Sequence, residues 1–242
     1  MPISHIGIAA VSDAHLPKYL DLFREAVANF DFSNIDLLIL AGDMVLKGRI
    51  VEYSTVLSII RSRYSGPIYA VFGNEEYQEQ EEELRTKYRE ITWLNDSYAG
   101  VEVKGVKLGV VGSRGVLDRP TSWQARNIPG IAIKYAERVE KLRELLTMAK
   151  RENNYVILVT HYAVACDTLK GENPRIWKYL GSARLKNVVK QVKPNVVIHG
   201  HAHNSSNPQA RIDGVKVYNV ALPATKQITY IEVKEEGISR FF

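Results

Sequence analysis

The feature that most constrains the fold is a series of short apolar runs, each ending abruptly in a glycine or a polar residue. Four such runs are Ile6–Val11, Asp36–Leu40, Pro67–Phe72 and Tyr155–Thr160. Runs of this length without alternating polar residues are typical of strands that are buried on both faces of a parallel sheet. Segments with helical spacing separate or follow them: Tyr19–Asn29, Val51–Arg63, Ile131–Arg151 and Ser182–Val192. The pattern predicts an α/β fold.

Two later segments predict hairpins. Val101–Val111 has a central glycine between two apolar halves, and Asp213-Gly214 separates Gln209–Ile212 from Val215–Val220. Hairpins add antiparallel strands, so we expect a second, mixed sheet. No linker, repeat or low-complexity tract interrupts the chain, and we interpret residues 1–242 as a single domain.

Between these elements lie one acidic and one polar stretch. The acidic stretch Glu75–Glu90 is predicted to be a solvated helix, with the run Glu79–Glu83 exposed. The stretch Ser113–Gly130 is predicted to be a long polar loop that follows a strand and overhangs its end.

Composition narrows the partners and the compartment. The net charge of +5 favours a phosphorylated substrate; nucleic acid is a possible partner that no motif supports. No apolar stretch approaches the ~20 residues of a membrane helix, and the start of the chain lacks a signal peptide's basic region, so no membrane association is expected. The single cysteine, Cys166, excludes an intrachain disulfide and predicts a cytoplasmic protein with a buried thiol. Nothing indicates an oligomeric state.

Polar side chains follow the predicted strands directly. The segments are Asp13-Ala14-His15, Gly42-Asp43, Gly73-Asn74, His161 and Gly200-His201-Ala202-His203. The first four alone each fit a turn, a helix cap or a structural histidine, whereas the His201-Ala202-His203 pair alone already favours a metal site. The ordered set is far more specific than any member. Because ligands of α/β sheets bind at the carboxyl ends of strands, we expect these side chains to converge. Oxygen and nitrogen donors without thiolate suit a divalent metal, and this many suit two ions.

The order D-x-H, G-D, G-N, H, G-H-x-H resembles the calcineurin-like metallophosphoesterases, from Ile6 to about Ala224. The resemblance implies a four-layer α/β/β/α sandwich, with two mixed β-sheets flanked by helices and two metals at the strand ends. Manganese is favoured, with iron, zinc or nickel as alternatives. One metal would take Asp13, His15 and His203. The other would take Asn74, His161 and His201, with Asp43 as the bridge and with glycines that let the backbone turn at Gly42, Gly73 and Gly200.

The same resemblance implies metal-dependent hydrolysis of a small phosphorylated substrate by a hydroxide that bridges the two metals. A phosphodiester is favoured over a monoester, and the catalytic roles fall to Asp43, Asn74 and Glu75. The alternative is a non-catalytic or weakly active metal-binding scaffold of the same fold. The absence of a phosphate-binding G-x-x-x-x-G-K-[ST] loop and of a dinucleotide G-x-G-x-x-G motif excludes the commonest nucleotide-binding classes.

One position departs from the family pattern. The family usually has histidine after the asparagine, in a G-N-H-[DE] motif, whereas this chain reads Gly73-Asn74-Glu75-Glu76, in which Glu76 matches the acidic position. An ionised Glu75 would repel a phosphate, and a protonated one could donate to it. Burial and nearby metals would move its pKa in opposite directions. A third interpretation is a carboxylate at the start of the next helix, where the helix dipole stabilises it.

Arginines in the polar loop are candidates for binding the substrate phosphate, because a guanidinium can hold a phosphate with two hydrogen bonds. The candidates are Arg114, Arg119 and Arg126, with Trp123 available to stack on a base. The alternative is an ordinary solvated loop. His199, one residue before the Gly200 segment, is either a group that supports the ligands or a packed strand histidine, and we favour packing.

Overall fold

The computed structural model describes residues 5–234. The strands in that range are β1 (His5–Val11), β2 (Leu37–Ala41), β3 (Ile68–Val71), β4 (Ile91–Leu94), β5 (Ser97–Val103), β6 (Val106–Ser113), β7 (Tyr155–Thr160), β8 (Ala163–Val164), β9 (Gly181–Ser182), β10 (Val196–His199), β11 (Gln209–Ile212), β12 (Val215–Asn219) and β13 (Thr229–Lys234). The α-helices are α1 (Leu20–Asn29), α2 (Tyr53–Arg61), α3 (Glu81–Lys87), α4 (Ser122–Asn127), α5 (Ile131–Glu152), α6 (Ala183–Val192) and α7 (Leu222–Thr225).

The strands form two large mixed sheets. The first has the order β13-β1-β2-β3-β4, in which only β13 is antiparallel to its neighbour. The second has the order β11-β12-β10-β7-β6-β5, with a parallel centre and an antiparallel strand at each edge. Strands β8 and β9 make a small separate parallel pair. The predicted hairpins supply the two antiparallel edge strands of the second sheet.

Side-chain alternation along the central strands separates three cores. In β1, Ile6 and Ile8 face the second sheet, while Ala9 and Val11 face the side covered by α1 and α2. The outer face of the second sheet packs against α5 and α6. The layers are therefore helix, sheet, sheet and helix, which confirms the predicted four-layer α/β/β/α sandwich.

Helix α5 shows why the sequence folds this way. Its buried residues Tyr135, Val139, Leu142 and Leu146 recur every three or four positions and form one apolar stripe on the second sheet. Burying each such side chain stabilises the fold by roughly 1.5–3 kcal/mol. No helix in the part of the chain that the structure describes is long and apolar enough to cross a membrane.

The acidic stretch differs from its prediction. Glu75 lies in a bend, and α3 begins only at Glu81. Glu81 is not solvated, because its carboxylate pairs with Arg114 at 2.7 Å and only 14% of the side chain is exposed. The prediction of one exposed helix was therefore wrong in extent and at Glu81.

Several further elements were absent from the sequence prediction, α4 and β4 among them. The polar stretch 113–130 contains α4, which Thr121 begins with a capping box to Gln124. Strand β4 was not predicted, because its four residues are too few to show a period next to the acidic helix.

Candidate metal centre

The predicted ligand segments meet at one edge of the sandwich. Strands β1, β2 and β3 are parallel neighbours in the first sheet, and β7 and β10 are parallel neighbours in the second. Their carboxyl ends face each other across the two sheets. Asp13 after β1 lies 2.8 Å from the ring of His203 after β10, and Asn74 after β3 lies 3.1 Å from the ring of His161 after β7.

One group of donors surrounds the carboxylate of Asp13, which is fully buried. Its Oδ1 atom lies 2.8 Å from Nε2 of His203 and 3.7 Å from Nε2 of His15. The Nε2 atoms of His15 and His203 are 3.4 Å apart. A single proton can link these two nitrogens, but it cannot provide a partner for both nitrogens and for the Asp13 carboxylate at once. A cation among the three atoms satisfies all of them. Within the described residues, the buried Nδ1 of His15 has no hydrogen-bond partner.

A second group surrounds His161. Its Nε2 atom lies 3.1 Å from Oδ1 of Asn74 and 3.3 Å from Oδ2 of Asp43, and its ring centre lies 4.9 Å from that of His201. On the opposite side of the ring, Nδ1 lies 3.0 Å from the Ala41 carbonyl, to which it donates. A backbone acceptor of this kind fixes the tautomer of metal-binding histidines, because it directs the other nitrogen toward the metal.

The two groups share a member. The donor atoms of Asp13, His15 and His203 lie within 4.8 Å of one another, as do those of Asp13, Asp43, His161 and His201. Asp13 thus belongs to both groups, whereas the resemblance gives the bridging role to Asp43. The Asp43 carboxylate interacts electrostatically with both His161 and His15, one from each group. The bridge stays a prediction, and the donor set fits divalent ions.

The backbone at the ligands is unusual. Asp13, His15, Asp43 and His201 all have positive φ, between 45° and 68°. For non-glycine residues this conformation costs on the order of 1–2 kcal/mol each, and such strain is concentrated at functional sites. This backbone conformation directs each of the four side chains away from its strand and toward the same point.

The glycines beside the ligands are required for two different reasons. Gly42 has a φ of 86°, so it provides the predicted tight turn. At Gly73 and Gly200 the constraint is space instead: a Cβ at Gly73 would overlap Oδ1 of Asp43, and one at Gly200 would overlap the side chains of Ser12 and Asp13. The ligand segments therefore contact each other without room for a methyl group.

Electrostatics divide the histidines into two types. Burial lowers the pKa of His201 to about 3 and lowers that of His15, so both are neutral and need lose no proton to bind a cation. Burial also opposes the charge on His161, but Asp43 outweighs it and raises the pKa of His161 to about 9. The pKa of His203 is raised too, because its hydrogen bond and charge interaction with Asp13 outweigh burial.

We expect the metal-free protein to lose stability as pH rises from about 7 to about 9. A histidine with a raised pKa stabilises the fold fully below its unfolded pKa of about 6.5, and that contribution disappears as pH rises through the folded value. Histidines with a lowered pKa change the stability of the fold only below about pH 6.5. Divalent ions must displace the His161 proton, so their affinity should rise by up to about tenfold per pH unit in the same window.

Thermal unfolding in chelator and in manganese, from about pH 7 to about pH 8.5, measures both effects. The increase in melting temperature on adding metal should grow with pH. His5→Ala is the matched control, because His5 is an exposed histidine paired with Glu232 outside this centre. A metal-induced shift that is constant or shrinks across this window would contradict the assignment.

Glu75 contacts this centre through its backbone and bonds elsewhere through its side chain. Its N–H donates to Oδ1 of Asp43 at 2.7 Å, while its carboxylate accepts the N–H of Lys47 at 2.6 Å. The interpretation as a carboxylate at a helix N-terminus is wrong, because Glu75 lies in a bend that precedes a short 3-10 helix at Gln78–Gln80. Its side chain instead holds the segment that follows Asp43.

The three candidate arginines have different surroundings. The guanidinium of Arg114 donates to Glu81 at 2.7 Å and to the backbone carbonyl of Glu76 at 3.0 Å. Arg119 and Arg126 are exposed, and Nε of Arg126 donates to a carbonyl within α4. Trp123 is exposed as well. Contact of these arginines with a substrate phosphate stays a prediction.

Two buried groups lie behind the ligand segments. His199 lies between the Thr168 hydroxyl and the Gly200 carbonyl, each at 2.8 Å, and burial lowers its pKa to about 4. It is thus a packed neutral histidine, as we favoured. Glu76, to which the sequence analysis gave no separate role, is fully buried and bonds to the backbone of Asp43 and Gly73. The available signal was its match to the acidic position of the family's G-N-H-[DE] motif.

The comparison with protein families agrees with this geometry. The family model described as calcineurin-like phosphoesterase matches residues 6–205. The chain belongs to this family. The match confirms the resemblance that the ordered motifs indicated. It supports metal-dependent phosphoester hydrolysis by a dinuclear centre, to which the clustered Asp and His side chains correspond.

Solved structures of related architecture span most of this calcineurin-like phosphoesterase. The phosphopantetheinyl hydrolase of Mycobacterium tuberculosis is 16% identical, with a TM-score of 0.65 over 91% of this chain and 90% of that one. GAP50, the anchor in the inner membrane complex of Plasmodium, is 12% identical, with a TM-score of 0.65 over 94% and 81%. A dimetal phosphatase from Danio rerio is 10% identical, with a TM-score of 0.59 over 95% and 92%. These likenesses show the fold alone, and comparison with curated proteins finds no significant match.

Proposed function

We propose that this calcineurin-like phosphoesterase hydrolyses small phosphorylated substrates with two divalent ions, and that it favours phosphodiesters over monoesters. The observation that carries the proposal is the convergence of oxygen and nitrogen donors from five strand ends on one point. The orientation of His161 by the Ala41 carbonyl supports a role as a metal ligand rather than as a packed histidine. The preference for diesters rests on the family resemblance.

The ligand assignment of the proposal follows the family resemblance, and it differs from the two groups of donors in sharing Asp43 rather than Asp13. One ion would be held by Asp13, His15 and His203 and the other by Asn74, His161 and His201, with the Asp43 carboxylate shared. Bound divalent ions polarise the phosphoryl oxygens and lower the pKa of a water molecule. The chain's own part is to hold the ligands rigidly and to offer the entering ions an ionised Asp43, since His161 offsets the effect of burial on this carboxyl and its pKa is lowered.

Several finer points belong to the same proposal. Manganese is the favoured ion, with iron, zinc or nickel as alternatives, because the donors are carboxylate, amide and imidazole without thiolate. The substrate is a small phosphorylated molecule, with nucleic acid as an alternative that no motif supports, and the compartment is the cytoplasm, which suits a chain with one cysteine.

The second candidate function is a scaffold of the same fold with weak or no catalysis. The observation that favours it is Glu75 at the position where the family has histidine. Of the structural relatives, the names of the phosphopantetheinyl hydrolase and the dimetal phosphatase support the enzyme, and the name of GAP50 as an anchor supports the scaffold. The fit of the donor set to divalent ions leads us to favour the enzyme.

A hydrolysis screen decides between the two candidates. Chelator-treated protein is loaded with manganese, iron, zinc or nickel and assayed on aryl diesters, aryl monoesters and cyclic nucleotides. We expect metal-dependent turnover that is faster on diesters. Turnover on monoesters alone would contradict the substrate preference. Metal binding without turnover on any of the three classes would favour the scaffold.

We also expect two ions per protomer. Elemental analysis after reconstitution and removal of free metal should give close to two equivalents, because the donors form two groups that share a carboxylate. A His15→Ala variant, which removes a donor from one group only, should retain about one equivalent. A single ion in the wild-type protein with metal in excess would refute the dinuclear centre.

A further inference from the structure

A buried carboxylate lies directly behind the proposed centre. Glu76 is fully buried, and both of its oxygens accept hydrogen bonds. Oε2 accepts from the backbone N–H of Asp43 at 2.8 Å and from that of Gly73 at 2.7 Å. Oε1 accepts from the N–H of Met44 at 2.8 Å, from the N–H of Val45 at 3.4 Å and from the hydroxyl of Tyr53 at 3.0 Å.

These donors come from two ligand segments and one helix. Residues 43–45 follow β2, Gly73 follows β3, and Tyr53 begins α2. A single carboxylate therefore joins the backbone of the segment that carries Asp43 to the backbone of the segment that carries Asn74. The two segments lie so close that a side chain at Gly73 would overlap Asp43, so a small shift of either would change the distance between the two ligands.

The chemistry requires a carboxylate at this position. Five donors face two oxygens, and no acceptor in the described contacts faces either oxygen. An amide of the same shape offers one accepting oxygen, and its NH₂ group would face N–H donors. The shorter side chain of aspartate, even with the charge, would not reach both segments.

We propose that Glu76, oriented by Tyr53, is a positioning residue that fixes Asp43 relative to Asn74 and so sets the affinity of the centre for the ion that these ligands hold. The inference rests on the proposed function for the identity of that ion's ligands. Glu76 touches neither substrate nor metal in this arrangement, and it acts only through the backbone of the ligand segments.

The test is a titration of Mn²⁺ into metal-free protein, followed by calorimetry and by competition with a chelator, with no substrate present. The variants are Glu76→Gln and Tyr53→Phe. Two matched controls share their chemistry but not their contacts. Tyr88→Phe removes a buried hydroxyl that donates to the Ile50 carbonyl, from a ring 5.6 Å from that of Tyr53. Asp118→Asn alters a carboxylate that accepts from Ser182 and Ala183 at the start of α6.

We expect Glu76→Gln to weaken one of the two Mn²⁺ sites by about 10–100-fold, the range typical for groups that support metal ligands. Tyr53→Phe should weaken the same site by a smaller factor, and both controls should bind like the wild type. Glu76→Asp should rescue the affinity only in part, because aspartate keeps the charge but its shorter side chain does not reach both ligand segments. Full rescue by aspartate would refute the need for reach.

Each remaining outcome is decisive. Wild-type affinity in Glu76→Gln, or an equal loss in Asp118→Asn, would overturn the inference and leave the proposed function intact. If circular dichroism shows that Glu76→Gln does not fold, the comparison of Tyr53→Phe with Tyr88→Phe decides alone, and equal affinities would overturn the inference. A wild-type protein that binds no Mn²⁺ would instead refute the proposed manganese centre itself.

Discussion

Replacing Asp43 with asparagine is expected to lower kcat/KM by about 10³-fold or more and to weaken both metal sites, because a charge that stabilises the ions and the transition state is lost. The structure adds a second reason. The two carboxylate oxygens face separate partners: Oδ1 accepts the N–H of Glu75, and Oδ2 lies 3.3 Å from Nε2 of His161. Asparagine has one accepting oxygen, so one of these partners loses its bond.

The same replacement has a measurable effect without metal. Asp43 is the main cause of the raised pKa of His161, so this pKa should fall below about 9 in the variant, as histidine NMR titration can show. The control is His5→Ala, because the ring of His5 is exposed and lies outside the centre. The kcat/KM of this variant should stay within a few-fold of the wild type. Similar losses in Asp43→Asn and His5→Ala would contradict the central position of Asp43.

The second large effect concerns the leaving group. With glutamate where the family has histidine, little acid assistance is available to the departing oxygen, and general acid catalysis is typically worth about 10²–10⁴ in rate. We therefore expect aryl diesters, which release stable anions, to be hydrolysed faster than alkyl or nucleoside esters by a factor in this range. The measurement is kcat/KM across esters of graded leaving-group pKa at saturating manganese.

Glu75→Gln tests whether the glutamate itself supplies the proton. In the structure its carboxylate accepts the N–H of Lys47, a bond that a glutamine oxygen can also accept. We expect the variant to keep or exceed wild-type activity on every ester, because it removes a charge that repels phosphate. Glu79→Gln makes the same charge change on an exposed side chain nearby and is the control. A loss confined to poor leaving groups would instead identify Glu75 as the acid.

The layers could be predicted from the sequence because burial gives strands and helices a simple pattern of apolar residues. A central strand such as Tyr155–Thr160 must be apolar throughout, and a helix such as α5 must be apolar on one stripe, so both can be recognised from one chain. Strand β4 shows no such pattern, because it has only four residues and one of them, Thr92, is exposed. Its place in the sheet depends on pairing with β3, which is a non-local property.

The candidate site likewise has features that can be read locally from the sequence and features that depend on non-local contacts. The ligand types and their order can be read locally, since each follows its own strand. The role of Glu76 cannot, because it depends on two loops crossing and on contacts between residues more than thirty positions apart. Arg114 illustrates the converse: its position after a strand suggested a phosphate contact, yet Glu81, 33 positions earlier, holds its guanidinium in the structure.

The origin of the ligands in both sheets has a mechanical consequence. Asp13 and Asn74 extend from the first sheet, and His161 and His203 extend from the second, with an apolar core between the sheets over much of their area. Ions held by such a set would act as cross-links between the two halves of the sandwich. Metal occupancy and the spacing of the sheets are then linked, so an enlarged side chain deep in the inter-sheet core would loosen the ions from a distance.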